Sequence, residues 1–239
     1  MVLATSRDGD VAVLTLQRPD FRNALNTELC HAIRAGVDAA IADEARVVVV
    51  TGEGSAFCSG ADLNGVYGDE FLNALYGMLH HLAAVPVPLV AAVNGPAIGA
   101  GTQLAIACDL RIADERAKFG VPTVRNGMAV DAWTIRTLAE LSGAGPARRM
   151  LIAGELIGRD EAQAHGLVDR SGDLDAALAW AHEIATLAPL SIAHNKLVLN
   201  GTGDDAAIDA SFARAWASDD VREAATARAE KRTPIFRGK

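Results

Sequence analysis

Apolar positions along this 239-residue chain switch between a two-residue and a three-to-four-residue period. Val11-Ala12-Val13-Leu14-Thr15-Leu16 reads as a strand, closed by a turn at Arg18-Pro19-Asp20. Leu29, Ile33, Val37 and Ile41 keep i, i+4 spacing and predict a helix capped by Asn26 or Thr27. Val47-Val48-Val49-Val50 follows as a buried strand. Between about Asp69 and Ala84, Phe71, Leu75, Met78, Leu79 and Leu82 fall on one helical face. Pro88–Val93 and Asp109–Ala113 read as further strands, separated by a small-residue helix that runs through Cys108. After Pro189 the period is helical throughout, over Ile192–Leu199, Ala206–Ala217 and Val221–Lys231.

Strands alternating with helices imply an α/β fold. The units are uneven, with short strands between glycine-rich elbows. No low-complexity linker interrupts the chain and no fixed-period repeat is present. The expectation is one domain, with a core over 1–188 and a helical C-terminal subdomain over 189–239.

Composition narrows the classes. Half the residues are apolar, ample for a core, yet no apolar run reaches the roughly 20 residues of a membrane span. Met1-Val2-Leu3-Ala4-Thr5-Ser6-Arg7-Asp8 lacks the basic-then-apolar pattern of a signal peptide. Three cysteines (Cys30, Cys58, Cys108) show no metal-ligand spacing, so a reduced, cytoplasmic setting without zinc is expected. A formal charge of −8 argues against nucleic acid as a partner. Val221–Lys239 departs from that sign, with six bases against two acids. It reads either as a solvated helical tail or as a basic rim for a phosphorylated ligand.

Two glycine-rich segments carry the candidate chemistry. Ala56-Phe57-Cys58-Ser59-Gly60-Ala61-Asp62-Leu63 follows the valine strand, and Asn94-Gly95-Pro96-Ala97-Ile98-Gly99-Ala100-Gly101 follows the next. Each reads as a loop opening a helix, where N–H groups are left unpaired beside the positive end of the dipole. If Ala61 and Ala100 aim their N–H groups at one point, they stabilise an oxyanion there. A single preorganised donor of this kind is worth roughly 3–4 kcal/mol of barrier. Either glycine cluster alone could equally serve only a tight turn.

Together the segments resemble the crotonase (enoyl-CoA hydratase/isomerase) superfamily over most of the chain. Leu16-Gln17-Arg18-Pro19 with Arg22-Asn23-Ala24-Leu25-Asn26 is similar to the family's first motif, against the coenzyme A moiety. Thr51–Leu63 resembles the second, and Ala92–Gly101 running to Cys108-Asp109-Leu110-Arg111 the third. Glu230-Lys231-Arg232 and Phe236 resemble the family's ending. The resemblance implies a spiral of ββα units and C-terminal helices that build a homotrimer or a hexamer. It implies an acyl-CoA ligand with no other cofactor and no metal. It makes Ala61 and Ala100 the oxyanion donors, with Arg22, Ala24, Ser59, Asp62, Leu63, Lys231 and Phe236 also at the ligand. The acyl-chain pocket is expected from poorly patterned segments such as Asn64–Asn73.

The family's acid–base pair is missing. Its hydratases place one glutamate two residues past the last glycine of the third motif, here Gln103. A second follows Phe-Gly-x-Pro, here Phe119-Gly120-Val121-Pro122, and the position holds Thr123. An amide cannot accept a proton from water and a threonine hydroxyl is a poor acid, while each such group contributes about 10²–10⁴-fold. Asp131, eight residues beyond Thr123, lies where some family isomerases and dehalogenases carry an aspartate. It reads as a tentative base, as a helix cap, or as both. Across Gly95–Gln103 and Asp131–Arg136 the chain is similar to mycobacterial members that share the double loss.

Other assignments fall away. No third glycine completes a dinucleotide fingerprint and no Gly-Lys-Ser/Thr follows either loop. His80-His81 reads as a helix-surface pair without a metal, Trp133 as packing rather than a stacking platform, and Cys58 as packing. Three functions remain open: an acyl-CoA-binding protein of fatty-acid metabolism with little or no hydratase activity, serving fatty-acid traffic or a synthesis or degradation enzyme; an isomerase using Asp131; and a weak enoyl-CoA hydratase.

Overall fold

The computed structural model describes residues 1–63 and 68–239. A hairpin of β1 (Leu3–Asp8) and β2 (Val11–Leu16) leads through α1 (Thr27–Ala42) to β3 (Val47–Gly52), then α2 (Asp69–Ala84) and β4 (Leu89–Val93). β5 (Ala97–Ile98), α3 (Ala100–Ala107), β6 (Leu110–Ala113) and β7 (Lys118–Gly120) follow. A 3-10 turn, Pro122–Asn126, precedes α4 (Ala132–Ser142) and α5 (Ala144–Leu151). Then come β8 (Ile157–Gly158), α6 (Arg159–Ala164), β9 (Arg170–Ser171) and α7 (Leu174–Ala185). The chain closes with α8 (Pro189–Leu199), α9 (Asp205–Ala217) and α10 (Asp219–Glu230).

One sheet runs β1-β2-β3-β4-β6-β9, antiparallel only at its first pair, and a smaller one runs β5-β7-β8. The mixed α/β architecture is the one expected. β3 explains why four valines stand in a row. Val48 and Val50 enter the large core against α1 and α2, while Val47 and Val49 enter a second core with Ala177, Ala181 and Ile184 of α7. A strand covered on both faces needs apolar residues at every position.

α1 starts where a polar residue precedes the first apolar position: the Asn26 side chain accepts from Leu29 N at 2.9 Å. α2 occupies the predicted span, and its predicted apolar face is buried. The last three helices begin one to three residues earlier than their apolar periods suggest, with Pro189, Asp205 and Asp219 in their first turns. Helices α8 to α10 are anchored to the rest of the chain by Lys196, Asn200 and Arg46. Lys196 Nζ meets the Asp109 carboxylate at 2.8 Å, and Arg46 donates to the carbonyls of Leu187 and Phe236.

Among the described residues no single helix is long and apolar enough to cross a membrane. No group of three or more metal-ligating side chains is present among them either.

Candidate functional site

The two glycine loops pack directly on one another. Cys58 N donates to Pro96 O at 3.1 Å and Ile98 N to Cys58 O at 2.9 Å, forming a parallel bridge between Cys58 and Ala97. Gly60 has φ +115°, and a Cβ on it would lie 2.9 Å from Ile98 O and 3.9 Å from Ala100 N. At Gly101 a Cβ would fall 2.0 Å from Cys58 O, so only glycine permits this approach.

This arrangement turns two N–H groups out of the backbone network. Leu25 N donates to Gly60 O and Asp62 N to Leu25 O, both at 2.8 Å, and Ala61 N between them is left out. Ala100 is the first residue of α3, where no intrahelical acceptor exists. Among the described residues neither Ala61 N nor Ala100 N has a hydrogen-bond partner. Gly99 N donates to Gly120 O at 2.8 Å, which ties the second loop to the Phe119-Gly120 strand. All eight residues of α3 are buried, so its dipole is little screened by water.

The first motif supports this loop. Arg18 pairs with Asp62 at 2.9 Å, donates to Ala24 O and lies over the Phe21 ring. Buried Asn23 donates to Glu53 O and Ala56 O from a left-handed conformation, φ 57°. Arg22 O accepts from Ser59 N at 3.0 Å, and Ser59 Oγ donates to Phe21 O at 3.2 Å. Arg22, Ala24, Ser59, Asp62 and the exposed Leu63 are thus brought together around Ala61. Arg18 and Asn23, motif residues with no role assigned from the sequence, shape the loop. Their signal is the Arg-Pro turn followed by an asparagine, a residue that tolerates positive φ.

Lys231 and Phe236 stand apart. Lys231 ends α10 in the left-handed region, φ 56°, and is exposed. Among the described residues, no hydrogen bond or ion pair ties either residue to the loops of the same chain; Phe236 O is held by Arg46. The basic tail is also partly neutralised. Arg232 pairs with Glu223 and Glu230, Arg222 with Asp219, and the N–H groups of Arg237 and Gly238 donate to Asp220.

Gln103 is buried in α3 and its Nε2 donates to Thr134 Oγ1 at 2.8 Å. Thr123 sits in the 3-10 turn, its carbonyl accepting from Met128 N. It lines an apolar cavity of about 510 Å³ with Val124, Met128, Ile135 and Leu151. Asp131 is the N-cap of α4, accepting from Thr134 N at 3.0 Å, so the capping role is real. Its other oxygen meets His80 Nε2 at 3.0 Å.

The histidines are therefore more than a surface pair. They leave α2 in different directions, His80 to Asp131 and His81 to Asp38 at 2.6 Å. Trp133 packs on the core and sets its ring edge-on to His80, 5.4 Å between centroids. It also lines a larger cavity of about 710 Å³ between α3, α4 and α8. Of the expected acyl-chain segment Asn64–Asn73, residues 64–67 lie outside the described residues. Burial pushes the thiols of Cys30, Cys58 and Cys108 up to about 12, and Cys58 packs with Sγ toward Gly60 O.

Residues 6–239 match the family model described as enoyl-CoA hydratase/isomerase. The chain is 44% identical, over 100% of both lengths, to a "Probable enoyl-CoA hydratase echA6" of Mycobacterium leprae. It is 34% identical, over 99% of both, to the 2,3-dehydroadipyl-CoA hydratase of Escherichia coli. A crystal structure of an "enoyl-CoA hydratase/ carnithine racemase" from Magnetospirillum magneticum superposes with TM-score 0.90 at 29% identity, covering 100% of this chain and 96% of that one.

Proposed function

Given that the chain belongs to the enoyl-CoA hydratase/isomerase family, we propose that it is an acyl-CoA-binding protein of fatty-acid metabolism with little or no hydratase activity. The observation that carries this reading is a contrast between Ala61 and Ala100, on one side, and Gln103 on the other. The two N–H groups stand unpartnered at abutting loops, ready for a thioester oxygen, while the nearby polar side chain is an amide already bound to Thr134.

Each element of the ligand has a physical counterpart. The thioester oxygen takes the two N–H groups and the α3 dipole. The coenzyme A portion lies against Arg22, Ala24, Ser59, Asp62 and Leu63. Lys231 and Phe236 serve the ligand across a subunit boundary, with 189–239 acting as the oligomerisation subdomain of a homotrimer or hexamer. Such a protein works in the cytoplasm, without a metal, beside an enzyme that makes or breaks acyl chains.

Hydration across a double bond needs one group to take a proton from water and another to deliver one to carbon. Neither Gln103 nor Thr123 does this at neutral pH. The test is a calorimetric titration with a saturated long-chain acyl-CoA, paired with loss of enoyl absorbance from crotonyl-CoA and a longer enoyl-CoA. Tight binding without turnover supports the reading. Hydration well above background in the unaltered protein refutes it. If Gln103→Glu with Thr123→Glu raises hydration steeply, the scaffold lacks only the acid–base pair.

A second reading, isomerisation at Asp131, is favoured by one observation: its carboxylate shares a hydrogen bond of 3.0 Å with His80 Nε2, a group able to pass a proton on.

A further inference from the structure

His80 and Asp131 form a directed pair. A carboxylate only accepts, so with Asp131 ionised the Nε2 of His80 carries the proton it shares at 3.0 Å. In the neutral ring this leaves Nδ1 as a bare acceptor, and among the described residues Nδ1 has no partner. The imidazole side chain is 52% exposed, and Nδ1 is its unengaged nitrogen among the described residues. Asp131 is poorly placed to act alone, because both its oxygens are engaged, one by Thr134 N and one by His80. The pair also connects to the oxyanion helix. Thr134 Oγ1 accepts from Gln103, which lies three residues after Ala100 on α3.

We propose that His80, oriented by Asp131, is a general base that exchanges the α proton of a bound acyl-CoA. The proposal rests on the thioester site described under the proposed function. It moves the base from Asp131 to a residue that carries no other role in the site, and makes Asp131 the positioning residue. His80 Nδ1 takes the α proton; the C–H pair forms the Cα=C bond and the carbonyl pair moves onto oxygen, held by Ala61 and Ala100 N–H. The proton on Nδ1 exchanges with solvent, and the ring returns one to Cα, restoring the thioester. Nothing is oxidised or reduced and no group leaves. One base suffices, which is why the loss of the hydration pair does not forbid it.

The experiment incubates the protein with butyryl-CoA in D₂O and follows α-deuterium by mass spectrometry, with binding measured in parallel by calorimetry. The wild type exchanges above buffer. His80→Gln lowers the rate by about 100-fold or more, within the range for a general base, while affinity stays within about threefold. Asp131→Asn keeps the cap, since asparagine caps as well as aspartate. It lowers exchange about tenfold at unchanged affinity, because the amide nitrogen that then faces His80 Nε2 cannot accept its proton and the ring is no longer oriented. The groups set against His80 are Tyr76 on its own helix and Asp131 and Trp133 from α4. A purely structural Asp131 would lower affinity together with exchange, whereas a positioning Asp131 lowers exchange alone. Binding without exchange, or exchange unchanged in His80→Gln, overturns the proposal. Absence of binding overturns it together with the thioester site, and calorimetry distinguishes that failure from the first.

Discussion

Lys196 Nζ lies 2.8 Å from Asp109 Oδ2, with the lysine side chain 5% exposed. The ammonium also donates to Leu82 O and Val87 O, and the carboxylate accepts from Leu89 N and Asn200 Nδ2. One aspartate at the end of α3 thus joins β4 to α8. Removing one partner of such a pair costs about 3–5 kcal/mol, because the other charge is left buried. Asp109 keeps two donors, which places Lys196→Met near the lower end, at about 3 kcal/mol. Urea denaturation would register this as a lower midpoint at an unchanged slope.

Gly101→Ala tests the loop contact. Its methyl cannot coexist with Cys58 O at 2.0 Å, so the two loops must separate and the Ala61 and Ala100 N–H groups diverge. Acyl-CoA affinity should fall by at least about tenfold, the scale of one hydrogen bond to a charged or strongly polarised oxygen. Calorimetry on material with a native circular-dichroism spectrum checks this; undiminished affinity would mean that the ligand does not use both loops.

The C-terminal tail carries an acid-sensitive contact. Hydrogen bonds from Arg232 and then from Ile235 N hold Glu223 down to about 2. A depressed carboxylate contributes stability above its unfolded value of about 4.3 and loses it as pH falls toward the folded value. Glu223→Gln should therefore flatten the stability profile between about pH 4.5 and 2 and leave it alone above that window. Thermal melts across acid pH would reveal the difference. Because the pair is exposed, the effect will be modest and will shrink in salt.

The three thiols should be silent in the native state. All are buried and titrate near 12, so almost no thiolate is present at pH 8. A thiol-specific disulfide reagent should give no fast phase with folded protein and three equivalents in denaturant. A fast native phase would mean that the packing around at least one of these cysteines opens readily.

Periodicity located what lies deepest. α1, α2 and β3 were legible because each packs a strongly apolar face on the core. β1 was missed because Leu3–Asp8 has four exposed residues and is a strand only through its register with β2. α7 was missed because alanines carry its buried face, and alanine gives little hydrophobic contrast. β8 and β9 are two residues each, below any periodic signal. In the site, the glycine spacing pointed to Ala61 and Ala100. Nothing local in the sequence could pair His80 with Asp131, since they are 51 positions apart and their contact exists only once α2 and α4 are docked.

The bond from Gln103 to Thr134 has a definite polarity, amide to hydroxyl. A threonine hydroxyl can also donate. With a glutamate at 103 the same two residues could keep their contact by reversing its direction, Thr134 giving its proton to the carboxylate. The interior is thus compatible with either side chain at nearly the same volume, and the difference between a site that holds a thioester and one that hydrates it need not involve repacking around α3. On this view position 103 asks for no new packing on the way from one state to the other, and what remains to be supplied is the second carboxylate, at Thr123.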